Sequence, residues 1–154
     1  MQKNPNMQSV DPVSVVEGLI TLIEDDFSRR GIRIFTSFDS RTAKCGADPG
    51  ALRQVFLDLL SNAADAVQGK SDANIFICVN RLGKMIEIKL VDNGAGMDES
   101  QPNNFFGPFF PSKETLSRLV TVEKMMASMD GSISINSELD IGTEVSLLLE
   151  ASND

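Results

Sequence analysis

Asp92-Asn93-Gly94-Ala95-Gly96-Met97 follows directly on the alternating run Met85-Ile86-Glu87-Ile88-Lys89-Leu90-Val91. The alternation reads as a half-buried strand, so the Asp92 carboxylate falls where a strand ends and a glycine turn begins. Strand ends that open into glycine loops are places where ligands meet backbone. A purine amino group finds an acceptor in Asp92 there, and Gly94 and Gly96 let the chain approach a ring closely. Asp-Asn-Gly is also a common turn sequence. On these residues alone both readings stand.

The chain around this stretch has 154 residues, enough for one domain with a real core, and its 42% apolar content fits a globular fold. Lys+Arg 14 against Asp+Glu 22 leaves a formal charge of -8. That balance argues against a nucleic-acid surface and against direct contact with an anionic membrane. It also means that a phosphorylated ligand needs a metal ion to offset part of the repulsion. No apolar run approaches a membrane span, and the polar start Met1-Gln2-Lys3-Asn4 does not resemble a signal peptide. Cys45 and Cys78 sit singly in strand-like runs and read as reduced core residues of a cytosolic protein. The chain contains no histidine. Histidine triads, histidine metal sites and a phosphohistidine within this chain are therefore excluded.

Residues 1–10 read as a linker or disordered lead, 11–150 as one domain, and 151–154 as a tail. Asp11-Pro12 and Asp48-Pro49 each look like an N-cap followed by a first-turn proline. The first helix carries Val16, Leu19, Ile20, Ile23 and Phe27 at helical spacing and ends at Gly31; the second runs to about Gln68-Gly69. Strands are expected at 32–38, 42–47 (pairing with 32–38), 74–80, 85–91, 132–136 and 143–150, and a third helix at about 115–129. The fold class predicted is α+β: a two-layer sandwich with about three helices on one face of a mixed, mostly antiparallel sheet. Residues 98–114 form a loop of about 17 residues, a length usually associated with lids and binding loops.

The second helix has a clean apolar stripe of Leu52, Val55, Phe56, Leu59, Leu60, Ala63 and Val67. Asp58, Asn62 and Asp65 line one flank at i, i+4 and i+7, on the boundary between core and solvent. They suit either a solvated helix face or the wall of a pocket holding a hard cation such as Mg²⁺. Further on, Phe105-Phe106-Gly107-Pro108-Phe109-Phe110 concentrates aromatics in the long loop, and Ser112-Lys113 offers an ammonium to phosphate. Gly142-Thr143 opens the last strand, where a hydroxyl can support Asp92 or a bridging water.

With these residues placed, the chain resembles the ATP-binding catalytic domain of two-component sensor histidine kinases, of the Bergerat (GHKL) ATPase superfamily. The resemblance covers about residues 10–150. Leu52-Arg53-Gln54-Val55-Phe56-Leu57-Asp58-Leu59-Leu60-Ser61-Asn62-Ala63 looks like the N box, and Asp92-Asn93-Gly94-Ala95-Gly96 matches the G1 box. Phe106 to Lys113 resembles the F box, and Asp140-Ile141-Gly142-Thr143 the glycine-threonine element before the last strand. Asn62-Ala63-Ala64-Asp65-Ala66 is similar to the nitrogen-regulator-like branch.

The resemblance implies Mg-ATP as ligand and γ-phosphoryl transfer to a histidine on a separate dimerisation domain, with a response regulator downstream. It implies a cytoplasmic location, with any membrane anchor outside this domain. It makes Asp58 and Asn62 the catalytic and metal-binding pair. It assigns ATP binding to Asn62, Asp65, Asp92, Gly94, Gly96, Lys113, Arg118 and Thr143, and lid and docking roles to Phe106, Phe109 and Phe110.

Two departures qualify it. Asp58 stands where relatives usually have asparagine, or a general-base glutamate in the hydrolytic members. It can bind metal, polarise water or be tolerated drift. The G2 box is replaced by Glu114-Thr115-Leu116-Ser117-Arg118-Leu119, with no glycine to turn backbone N–H groups toward phosphates. The expectation is an altered lid and a weaker hold on phosphate, with Lys113 and Arg118 partly compensating for Glu114. Two alternatives follow from the same residues: a degenerate interaction module with weak or no ATP binding, and an anti-sigma-factor-type serine kinase.

Overall fold

The computed structural model describes residues 4–39, 44–94, 113–138 and 141–152. In chain order the elements are β1 (Gln8–Val10), α1 (Pro12–Arg29), β2 (Arg33–Phe38), β3 (Cys45–Ala47), α2 (Pro49–Ala66), β4 (Asn74–Leu82), β5 (Met85–Asp92), α3 (Lys113–Ser128), β6 (Ser132–Glu138) and β7 (Gly142–Glu150). Both Asp-Pro helix starts form as their chemistry dictates. The Asp11 carboxylate accepts from the Val13 and Ser14 N–H groups, and the Asp48 carboxylate from those of Gly50 and Ala51. Proline at the first helical position loses no hydrogen bond there.

A five-stranded sheet runs in the order β2-β4-β5-β7-β6. Only β2 and β4 pair in parallel, Arg33 opposite Asn74 through Phe38 opposite Val79. A parallel pair needs a crossover, and α2 lies between the two strands in the chain. The remaining neighbours are antiparallel. Burial alternates strictly along β5, with Ile86, Ile88, Leu90 and Asp92 on the inner face. That face, with Ile75, Ile77 and Val79 of β4 and Leu147 and Leu149 of β7, is covered by the three helices. Every residue of the expected α2 stripe, Leu52 through Val67, is buried. The outer face stays open, and there Phe35 and Phe76, register partners on β2 and β4, stack with centroids 5.0 Å apart.

The strand expected at 42–47 does not pair with β2. Its described part, Cys45–Ala47, pairs antiparallel with Gln8–Val10 in a separate two-stranded sheet. Val10, Cys45 and Ala47 are all buried, so their backbone groups need partners away from water, and each short strand supplies them to the other. Of the residues read as a lead, Gln8–Val10 form this strand. Besides β1, the Asn4 amide donates to Asp48 at 2.9 Å. The first two tail residues are tied down too: Ala151 bridges to Cys45, and the Ser152 N–H donates to the Lys44 carbonyl at 2.8 Å. Cys78 is a second correction, since it lies half-buried on the outer face and not in the core. Burial pushes the Cys45 thiol up to about 11, which makes it a packing residue and not a nucleophile.

No helix among the described residues is long and apolar enough to cross a membrane. The inner face of α2 carries the packing, and Leu52 is fully buried. Leu52→Ala is expected to cost about 3 kcal/mol in urea unfolding, whereas Leu22→Ala on an exposed site should stay within about 0.5 kcal/mol. Equal costs at the two positions would contradict this packing.

Candidate functional site

Asp92 is the last residue of β5 and faces inward with the core residues of that strand, 8% exposed. Its Oδ1 accepts from the Gly94 N–H at 2.9 Å, which closes the turn on the carboxylate. Burial pushes its pKa from 3.8 up to about 6, opposed by hydrogen bonds from the backbone N–H groups of Gly94 and Thr143. A buried acceptor held by backbone at a strand end is poised for a ligand's N–H donor.

Two glycines allow this placement. A Cβ on Gly94 would stand 2.5 Å from the Ala66 carbonyl oxygen, so the turn lies directly against the last turn of α2. A Cβ on Gly142 would overlap the Asp92 carbonyl, and its φ of 146° also disfavours any other residue. Thr143 is the register partner of Asp92 and is buried, but its hydroxyl lies 2.9 Å from the Ser137 hydroxyl on β6. The support for Asp92 therefore comes from the Thr143 backbone, not from the side chain.

Asn93 was missed as a site-building residue. Its Oδ1 accepts from the Asn74 N–H at 2.8 Å and its Nδ2 donates to the Asp72 carbonyl at 2.7 Å, pinning the turn to the start of β4. The Asp-Asn-Gly tripeptide was the available signal, since asparagine side chains mimic backbone in turns. Ser137 left no such signal, because its role depends on β6–β7 pairing.

Asn62 lies one helical turn before Ala66, so the flank of α2 continues from the Asp92 turn toward α3. Arg118 of α3 reaches across. Its Nη1 donates to Asn62 Oδ1 at 2.9 Å and to Asp65 Oδ2 at 2.9 Å. Asp58, half-buried on the same flank, accepts instead from the Gln54 amide at 2.9 Å. Lys113 opens α3 and is exposed. Gly96, Phe106, Phe109 and Phe110 lie outside the described residues.

This arrangement does not fit Mg²⁺. The amide oxygen expected to bind it is already taken by a guanidinium. A divalent ion ~4 Å from that guanidinium would be repelled by about 8 kcal/mol at an effective dielectric of about 20.

A cavity of about 240 Å³ lies at the same end of the sheet, floored by Phe76, Val91, Asn136 and Glu144, with Asp92 and Gly142 at its edge. Its floor residues alternate with the core residues of their strands, so it opens on the outer face. The Asp92 carboxylate faces the helices, and a ligand that reached it would occupy a different space.

The model of the histidine kinase-, DNA gyrase B- and HSP90-like ATPase family matches residues 47–153. Sporulation kinase D of Bacillus subtilis (strain 168) is 34% identical over 111 residues, 71% of this chain and 21% of that protein. The sensory histidine kinase/phosphatase NtrB of Rhizobium leguminosarum bv. phaseoli is 29% identical over 157 residues, 92% of this chain and 40% of that one. The chain thus spans less than half the length of these relatives. The catalytic domain of histidine kinase ThkA superposes with a TM-score of 0.80 at 18% identity, covering 94% of this chain and 97% of that one. ThkA in complex with the response regulator TrrA gives a TM-score of 0.77 at 17% identity, over 95% of this chain and 42% of that one. At such identity these structures show the shared fold.

The raised pKa of Asp92 sets a pH dependence. Between pH 3.8 and about 6 the folded state holds a proton that the unfolded chain has lost, so stability falls as pH rises through that window. The loss is about 3 kcal/mol once both states are ionised. Asp92→Asn should remove it: urea midpoints of parent and variant should diverge as pH rises from about 4 to 7, with the variant the more stable. Parallel pH profiles would show that the carboxylate is not desolvated.

Proposed function

Because this chain belongs to the histidine kinase-, DNA gyrase B- and HSP90-like ATPase family, we propose that it binds an adenine nucleotide through Asp92 and presents the γ-phosphoryl group to a histidine on a separate dimerisation domain. The observation that carries this reading is the buried Asp92 carboxylate, fixed by backbone at the end of β5 and facing the helix side. An adenine exocyclic amino group donates to that carboxylate, and guanine, which has a carbonyl at the equivalent position, does not. Desolvation makes the discrimination strong, since a buried acceptor left unpaired is costly.

The acceptor histidine has to come from elsewhere, because the chain has none. The work left to this domain is positioning and charge neutralisation, the main demands of phosphoryl transfer. A response regulator would receive the group afterwards, as the complex of ThkA with TrrA suggests by analogy. Phe106, Phe109 and Phe110 are proposed to dock on the dimerisation domain, and Lys113 to face phosphate.

Adenosine is the cleanest probe, since it carries no phosphate to titrate in the range where Asp92 does. Calorimetry should show adenosine binding that weakens as pH drops below about 6, because protonation turns the acceptor into a donor. Asp92→Asn should weaken binding by about tenfold or more and flatten the pH profile. Unchanged affinity in that variant would refute the placement of the adenine site. With a histidine-bearing dimerisation domain supplied in trans, γ-labelled ATP should give an acid-labile label on that domain; an acid-stable label would point to a serine acceptor.

A further inference from the structure

The cation expected on Asn62 meets a side chain already in place. Arg118 Nη1 donates to both Asn62 Oδ1 and Asp65 Oδ2, each at 2.9 Å, so one permanently charged group holds the amide oxygen expected to bind metal and the carboxylate beside it. We propose that the Arg118 guanidinium takes the role of the divalent cation, so that a nucleoside diphosphate or triphosphate binds at this end of the domain without metal. The proposal rests on the adenine-nucleotide reading above and adds the chemistry of its phosphate end.

Three observations carry it beyond a simple helix-to-helix bridge. The first is position. Asn62 is one turn of α2 from Ala66, and Ala66 packs against Gly94, so the guanidinium is anchored on the helix that also backs the Asp92 turn. A nucleotide whose base meets Asp92 extends its phosphates along this flank.

The second is donor capacity. A guanidinium offers five N–H donors in a planar fork suited to phosphate oxygens. Nη1 makes both protein contacts, and among the described residues Nη2 and Nε have no partner. The side chain is 31% exposed, buried enough to be held and open enough to be reached.

The third is substitution. Arg118 lies in Glu114-Thr115-Leu116-Ser117-Arg118-Leu119, the segment that has no glycine to aim backbone N–H groups at an anion. A side-chain cation supplies what that backbone cannot. Among the described residues the buried Asn62 Nδ2 has no partner, which agrees with an amide whose oxygen is committed to the arginine.

The local charges are mixed: Asp65 is paired with the arginine, Asp58 is held by Gln54, Glu114 is exposed at the start of α3, and Lys113 stands beside it. Adding Mg²⁺ would require Arg118 to leave Asn62 first. Binding through the arginine requires only that phosphate share its fork.

The test is calorimetric titration of the full chain with ADP and with adenosine, in EDTA and in excess Mg²⁺. Parent protein should bind ADP more tightly than adenosine, with the same affinity in both buffers. Arg118→Ala should lose about tenfold or more of its ADP affinity in EDTA, recover part of it with Mg²⁺, and leave adenosine binding unchanged. Arg118→Lys, which keeps the charge without the fork, should fall between them. If Mg²⁺ tightens ADP binding to the parent about tenfold or more, or if Arg118→Ala binds ADP as well as the parent in EDTA, the proposal is overturned while the adenine reading survives. If neither adenosine nor ADP binds the parent, both fall together.

Discussion

The end of β5 is caught between two backbones. On one side Gly94 lies against the Ala66 carbonyl of α2, and on the other Gly142 lies against the Asp92 carbonyl. Neither position has room for a Cβ, and this constraint places the Asp92 carboxylate. The turn cannot swing outward without losing the Asn93 bonds to Asn74 and Asp72, nor inward without striking α2. An acceptor with so little freedom is pre-organised, which favours binding because little ordering remains to be done.

The same helix governs the other end of the site. Its inner stripe fills the core, and its flank presents Asn62 and Asp65 to Arg118. A surface ion pair alone would contribute little to stability. Here the arginine also bonds a half-buried amide and joins α2 to α3, so its position is defined by two helices. The base end relies on backbone rigidity and a desolvated carboxylate. In the proposed site, the phosphate end would rely on a side-chain cation in place of a glycine-built cradle.

Much of the site was legible because its parts are local. Asp92, Gly94 and the turn between them follow from a strand pattern running into Asp-Asn-Gly, and the α2 stripe from a period near 3.6. Both helix starts were readable from Asp-Pro, since capping is settled within four residues. What was misread depended on distant partners. Residues 42–47 looked like a hairpin mate for β2, yet the described part pairs with Gln8–Val10, a strand too short to show any periodicity. Thr143 was placed beside Asp92 correctly, but its hydroxyl is directed to Ser137 by the β6–β7 register.

The amino-acid sequence by itself determined the helices, the alternating strands, the carboxylate at a glycine turn and the row Asp58, Asn62, Asp65 on one flank of α2. Each of these is set by spacing along a single element. Only the tertiary structure decided that Asn62 and Asp65 face a guanidinium from another helix, 56 and 53 positions away in the chain. Helix-to-helix contacts depend on how two apolar faces pack, and no spacing within either helix encodes which charged side chain will meet which oxygen. The same amide that reads as a metal ligand on an isolated helix becomes an arginine acceptor once α3 packs against α2.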